Sequence, residues 1–220
     1  MNAHRNGYGS VWVGSGSANF QDVGSSINIV FTPDWSKIVV GLSKKKAVYK
    51  HPCGKVEECD VPTATYLSTD KLENITAENC ARRELFRETG IIEKEHEERI
   101  KLGYVRSFQG ARGKLKQYHF LVLLKEELTL EQNIIEVEEM HPPEYWPVIT
   151  ALRGGEDRGK FNPYHQLALC KCIQEMDTAG LGHDPHFTDF GLLLWNIREA
   201  SIELAAHTLN LEGMIERREI

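Results

Sequence analysis

Apolar and polar positions alternate with the period of β-strands through the first half of the chain. Residues 26–32 and 37–42 are β-rich runs joined by Pro33-Asp34-Trp35-Ser36, which predicts a hairpin. Residues 100–108 and 117–125 read as two more strands, linked by Gln109-Gly110-Ala111-Arg112-Gly113-Lys114. In the second of these, Tyr118, Phe120, Val122 and Leu124 alternate with His119, Leu121 and Leu123, so both faces are largely apolar and the strand is expected to be central. Residues 133–140 suggest a further strand, ended by His141-Pro142-Pro143. Helical spacing takes over at 164–176 and 189–210, where Leu193, Ile197, Ala200 and Leu204 share a stripe.

One helix stands between the two strand pairs. Thr76 is the expected N-cap, Glu78 suits the positive end of the dipole, and Gly90 follows as a left-handed stop, so the helix is placed at about 77–89. Ala77, Ala81 and Leu85 form a narrow apolar stripe. Glu84 and Glu88, four apart on a neighbouring face, can converge on one cation, and a pair of carboxylates suits a hard, oxygen-preferring metal. The competing reading makes Arg83, Glu84, Arg87 and Glu88 an ordinary solvated surface laced with ion pairs.

The segment HPCGKVEECD, upstream of ENCARRELFRETGII, bears on that choice. Together they resemble a Nudix box: Gly, five residues, Glu, seven residues, then Arg-Glu-apolar-x-Glu-Glu-x-Gly-apolar. Gly54 matches the first glycine, and Asp60 stands where the first Glu would be. Arg83, Glu84, Leu85, Glu88, Gly90 and Ile91 match the second half. Pro52-Cys53-Gly54-Lys55-Val56-Glu57 is similar to the Pro-Gly-Gly-Lys-x-Glu run common in the family. Cys53 replaces a small residue, Asp60 shortens the Glu, and Arg87 takes the position of the first carboxylate in the Glu-Glu pair. Asp60 and Arg83 are separated by 22 residues where the pattern has seven, so about 61–75 reads as an insertion.

The resemblance implies an α/β fold, an α/β/α sandwich with a mixed sheet, here with extra C-terminal helices. With the Ser- and Gly-rich start and the helical spacing near the end, the chain reads as a flexible segment over 1–24, a Nudix-like domain over 25–180 and a helical extension over 181–220. The resemblance also implies a Mg²⁺-dependent hydrolase, with Mn²⁺ as a substitute, acting on a phosphoanhydride in a nucleoside diphosphate linked to another moiety: a nucleotide sugar, a dinucleotide or an RNA 5′ end. The metal ligands implied are Glu84, Glu88 and the backbone carbonyl of Cys53, while Gly54, Arg83 and Gly90 are structural. From chemistry alone, Glu138 is a candidate base beside Glu84 and Glu88, and Lys55, Arg87 and Arg112 are candidate phosphate contacts. Arg87 cannot ligate a cation and repels one. A rival reading follows: an impaired Nudix fold that binds nucleotide or RNA without cleaving it, or a scaffold subunit. Its C-terminal helix would then dock a protein partner or a second copy.

Composition sets outer limits. With 220 residues, 41% hydrophobic and 26% charged, the chain can bury a sizeable core. A net charge of −6 argues against strong non-specific attraction to nucleic acid while allowing a local basic patch. No apolar run reaches transmembrane length, so no membrane partner is expected. The five cysteines, Cys53, Cys59, Cys80, Cys170 and Cys172, lack a disulfide pattern and point to reduced thiols in an intracellular compartment, the cytoplasm before an organelle. The acid-free first 21 residues hint only faintly at a transit segment.

Other features carry two readings each. Lys44-Lys45-Lys46 and the Arg112, Lys114, Lys116 group are either phosphate contacts or solvated strand ends. Glu136, Glu138 and Glu139 could supply a base, but an acidic solvent edge is the commoner outcome. His183-x-x-His186 has metal-compatible spacing, although Cys170 and Cys172 do not share a helix face. Gly14-Ser15-Gly16 reads as a turn. Cys53 as a nucleophile has no partner base nearer in sequence than His51, so packing is its default role.

Overall fold

The structure is a computed structural model that describes residues 23–63, 68–91, 97–110, 113–130, 139–183, 188–199 and 212–213. Its strands are β1 (Val23–Phe31), β2 (Lys37–Ser43), β3 (Val48–Lys50), β4 (Cys53–Lys55), β5 (Glu97–Gly110), β6 (Gly113–Leu124) and β7 (Glu144–Pro147). The helices are α1 (Thr69–Thr89), α2 (Val148–Leu152), α3 (Pro163–Thr178) and α4 (Thr188–Glu199).

The sheet is mixed, with the order β3-β2-β1-β6-β5; β4 pairs with β1 and β7 with β2. β1 runs parallel to β6 and antiparallel to β2 and β4. β1 is buried along its whole length because both of its faces are covered. Ile27, Ile29 and Phe31 enter a core shared with α2, α3 and α4. Val30 on the other face packs with Val39, Val122 and Leu85. The expected α/β/α sandwich is therefore present, and β6 is central, between β1 and β5. Its Leu121 enters the first core, and Tyr118 and Phe120 meet Ala77, Cys80 and Ala81 of α1 in the second.

Two polar side chains of β1 fix α1 in register. Ser26 Oγ donates to the Ala77 carbonyl at 2.6 Å, and Asn28 Nδ2 donates to the Ala81 carbonyl at 2.9 Å. The small Ala77 and Ala81 let the helix approach the strand closely enough for this, and the buried amide and hydroxyl are thereby satisfied.

Helix α1 starts at Thr69 with Ser68 as N-cap, eight residues before the expected start; Thr76 is buried in mid-helix. No glycine or proline interrupts 69–89, and Leu72, Thr76 and Cys80 continue a buried row at i, i+4 spacing. The distal part of the presumed insertion is thus two more turns of the helix. Glu73 in those turns binds Lys116 Nζ at 2.7 Å and the Tyr118 hydroxyl. The C-terminal stop is as expected, since Gly90 has φ 73° and its N–H donates to the Phe86 carbonyl at 2.9 Å.

The Pro33–Ser36 hairpin is present between β1 and β2, and Asp34 accepts from Thr32 Oγ1 and from Ser36. The expected strand over 133–140 lies outside the described residues except for its last two, and Met140 bridges Ser43. Of the C-terminal extension, α4 buries Phe190, Leu193 and Leu194 in the same core as α3, and Lys171 pairs with Glu212 at 2.6 Å. Residues 200–211, which hold the second half of its predicted stripe, lie outside the described residues.

Candidate active site

The loop from His51 to Asp60 lies along one face of α1. Its strand β4 is held to β1 with Gly54 opposite Ser26. A Cβ at Gly54 would overlap the Glu84 carboxylate, so only glycine lets that carboxylate lie against the loop. One turn further along α1, Glu88 Oε2 accepts the Cys53 backbone N–H at 3.0 Å. Glu84 and Glu88 are each 6% exposed, which rules out the solvated-surface reading for this pair.

Two buried carboxylates so close together need cations. Arg83 supplies one and organises the loop. Its Nε and Nη2 form a fork on the two Asp60 oxygens, both at 2.8 Å. Nη2 also donates to the Lys55 carbonyl at 2.7 Å, and Nη1 reaches Glu57 and Glu84. Asp60 is itself buried and accepts the Glu57 N–H at 2.8 Å. A planar guanidinium can satisfy this many acceptors at fixed angles, which an ammonium cannot.

Lys50, the last residue of β3, supplies the second cation. Its Nζ lies 2.8 Å from Glu88 Oε1 and 3.5 Å from Cys53 Sγ. Burial works against the ammonium, but Cys53 and Glu88 outweigh it and raise its pKa above the ordinary lysine range. Arg87 binds the outer carboxylate Glu57, at 2.9 Å, and is 3.7 Å from Glu84.

Behind the loop, His165 Nδ1 on α3 accepts the His51 N–H at 3.2 Å, and Nε2 lies 3.9 Å from Cys53 Sγ. Burial pushes the Cys53 thiol up to about 11 and holds both imidazoles down, His51 at about 3. A neutral thiol beside neutral imidazoles is a packed layer and lacks the thiolate that nucleophilic attack requires.

Residues 26–167, more than half of the chain, match the family model of the NUDIX domain. The chain belongs to the NUDIX family. Solved NUDIX-fold structures resemble it at low identity. The NUDIX domain of Shewanella oneidensis NrtR complexed with ADP-ribose is 13% identical, with a TM-score of 0.51 over 70% of this chain and 88% of that one. The E. coli dihydroneopterin triphosphate pyrophosphohydrolase is 12% identical, with a TM-score of 0.47 over 67% and 94%. A C. elegans Ap4A hydrolase is 9% identical, with a TM-score of 0.46 over 71% and 98%. No curated protein matches the chain.

Within this NUDIX box, the structure brings Cys53, Gly54, Arg83, Glu84 and Glu88 together and closes α1 at Gly90. Lys55 is exposed at the end of β4. Arg112 and Glu138 lie outside the described residues. Lys44–Lys46 form the turn at the far end of β3, and Lys116 is engaged by Glu73. Two further residues of the site carry no signal in the sequence: Lys50, whose partner Glu88 is 38 positions away, and His165, 112 positions from Cys53. No local spacing could have signalled either contact.

The donor chemistry fits a hard divalent cation. Among the described residues no group of three or more His, Cys, Asp or Glu is arranged to hold a metal. Mg²⁺, however, is commonly held by one or two carboxylates and completes its shell with water and substrate phosphate oxygens. Glu84 and Glu88 are such a pair of carboxylates, and each is ion-paired with a cation of the chain's own, Arg83 and Lys50 respectively.

Proposed function

We propose that this NUDIX chain hydrolyses a phosphoanhydride in a nucleoside diphosphate linked to a second moiety, using Mg²⁺ or, in its place, Mn²⁺. The observation that supports this reading is the pair Glu84 and Glu88, buried on one rigid helix face against a loop that is glycine where a side chain would displace the carboxylate. Glu84 and Glu88 would hold the cation, and the chemistry it would supply there is neutralisation of phosphate charge and a lowered pKa for the attacking water. The water oxygen bonds to phosphorus, the bridging P–O bond breaks with its electron pair leaving on the second phosphate, and a carboxylate takes the proton. Glu84 and Glu88 are the candidate acceptors in α1, and Glu138 is the candidate from the following segment. Lys55, Arg87 and Arg112 are the side chains we assign to the phosphates.

ADP-ribose, held by the NrtR domain in its complex, belongs to this substrate class and is the first compound to try. Incubation with Mg²⁺ should give AMP and ribose phosphate, followed by ³¹P NMR. Failure to cleave ADP-ribose, nucleotide sugars, dinucleotides and capped or triphosphorylated RNA ends would overturn the reading. The rival, binding without hydrolysis, draws support from the internal cations on Glu57, Asp60, Glu84 and Glu88. Micromolar binding without turnover would favour it. All five cysteines are free thiols, which suits a reducing compartment, and no helix among the described residues is long and apolar enough to cross a membrane.

A further inference from the structure

We propose that Lys50 is a tethered counter-ion that occupies the cation position on Glu88, so that a divalent ion reaches this carboxylate only by displacing it. The inference rests on the reading of Glu84 and Glu88 as the cation-binding carboxylates. It adds a residue that neither the box motif nor its departures point to.

Three contacts close a ring. Lys50 Nζ binds Glu88 Oε1 at 2.8 Å and approaches Cys53 Sγ at 3.5 Å, and the Cys53 N–H binds Glu88 Oε2 at 3.0 Å. Both Glu88 oxygens therefore already face a donor. The Lys50 side chain is 18% exposed and that of Glu88 is 6%, so the pair is shielded from the screening that weakens surface ion pairs. A divalent ion on Oε1 would meet an ammonium in the same space, and the two cations repel at short range in a partly dry site. The backbone N–H on Oε2 does not compete in this way, since it keeps the carboxylate oriented toward the loop.

Arg87 looked in the sequence like the residue that reduces metal binding. In the structure its guanidinium pairs with Glu57 on the rim and stays 3.7 Å from Glu84, whereas Lys50 sits directly on the inner carboxylate. Lysine is also suited to moving aside: its flexible stem can swing the ammonium to another acceptor, such as a substrate phosphate. Lys50 is thus a positioning residue whose displacement couples cation arrival to the site's charge.

The test is Mn²⁺ binding to the full chain without substrate, followed by electron paramagnetic resonance and calorimetry. Lys50→Met and Lys50→Gln should bind Mn²⁺ at least tenfold more tightly than the unmodified chain. Arg87→Gln should change binding far less, and adding Glu88→Gln to Lys50→Met should cancel the gain. Equal or weaker binding by a folded Lys50 variant, or a gain that survives Glu88→Gln, would overturn the proposal.

Should both Lys50 variants fail to fold, the unmodified chain decides. Acetylation of Lys50 by acetic anhydride, read by mass spectrometry, should rise several-fold on Mg²⁺ saturation, and unchanged labelling would overturn the idea. Tight Mn²⁺ binding to the unmodified chain with no Lys50 effect would remove this inference and leave the functional reading standing. No Mn²⁺ binding in any variant would remove both.

Discussion

The Glu84 carboxylate lies where a side chain at Gly54 would begin. The two halves of the NUDIX box approach this closely only because residue 54 carries no side chain. Gly54→Ala should therefore push Glu84 off the loop. Overpacking of this kind costs about 1–3 kcal/mol, so the variant should fold while losing most of its Mg²⁺ affinity. Isothermal calorimetry on a variant shown to be folded would check it; unchanged affinity would mean that the Glu84 position is irrelevant to the cation.

Arg83 should matter more for stability than any other charged residue of the site. Its fork on buried Asp60 is the main tie between loop and helix. Removing one partner of a buried pair costs about 3–5 kcal/mol. Arg83→Ala is thus expected to lower the melting temperature by roughly 6–20 °C. Arg83→Lys should recover only part of this, because an ammonium cannot make both bonds of the fork.

By contrast, Arg87 and Glu57 form a rim pair, and the Glu57 side chain is half exposed. Such pairs contribute about 1 kcal/mol or less. Arg87→Gln should leave thermal stability nearly unchanged and shift Mg²⁺ affinity by less than about fivefold. A larger KM effect with the diphosphate substrate would show the guanidinium touching phosphate.

The hairpin at Pro33–Ser36, the two-sided apolar strand β6 and the Gly90 stop were legible because each is written within a few consecutive residues. The short strands β3, β4 and β7 were not, since three or four residues carry too little periodicity to read. The start of α1 was hidden by motif spacing: counting residues between Asp60 and Arg83 suggested a loop, although the Leu72–Thr76–Cys80 row continued the helix. The carboxylate pair was legible from i, i+4 spacing. Its cation Lys50 was not, because the end of β3 reaches α1 only through the tertiary fold.

The extra turns of α1 invite a direct check. Leu72 is buried and Glu73 docks on β6, so this part of the insertion is packed structure. Leu72→Ala should cost at least about 2 kcal/mol, and replacing 63–72 with a Gly-Ser linker should destabilise the domain visibly. A melting temperature unaffected by either change would mean that the segment does not support the core.

Acid should destabilise the chain through the buried histidines. The His51 imidazole is held at about 3 by burial, below an ordinary value of 6.5. The unfolded chain therefore binds more protons between these values, so stability is fully present above pH 6.5 and falls as the pH drops toward 3. The slope from this group reaches at most about 1.4 kcal/mol per pH unit. Urea midpoints between pH 7 and pH 5 should decline, and less steeply in His51→Phe, whose ring can keep the contact with Phe161. An identical slope would place the acid sensitivity elsewhere.

The most direct test of the account is Mg²⁺-dependent turnover of a diphosphate such as ADP-ribose by the unmodified chain and by Glu88→Gln. Gln keeps the shape of Glu88 and can still accept the Cys53 N–H, so the variant should fold, lose Mg²⁺ affinity and cleave at least about 100-fold more slowly. Turnover by Glu88→Gln equal to that of the unmodified chain would contradict the account.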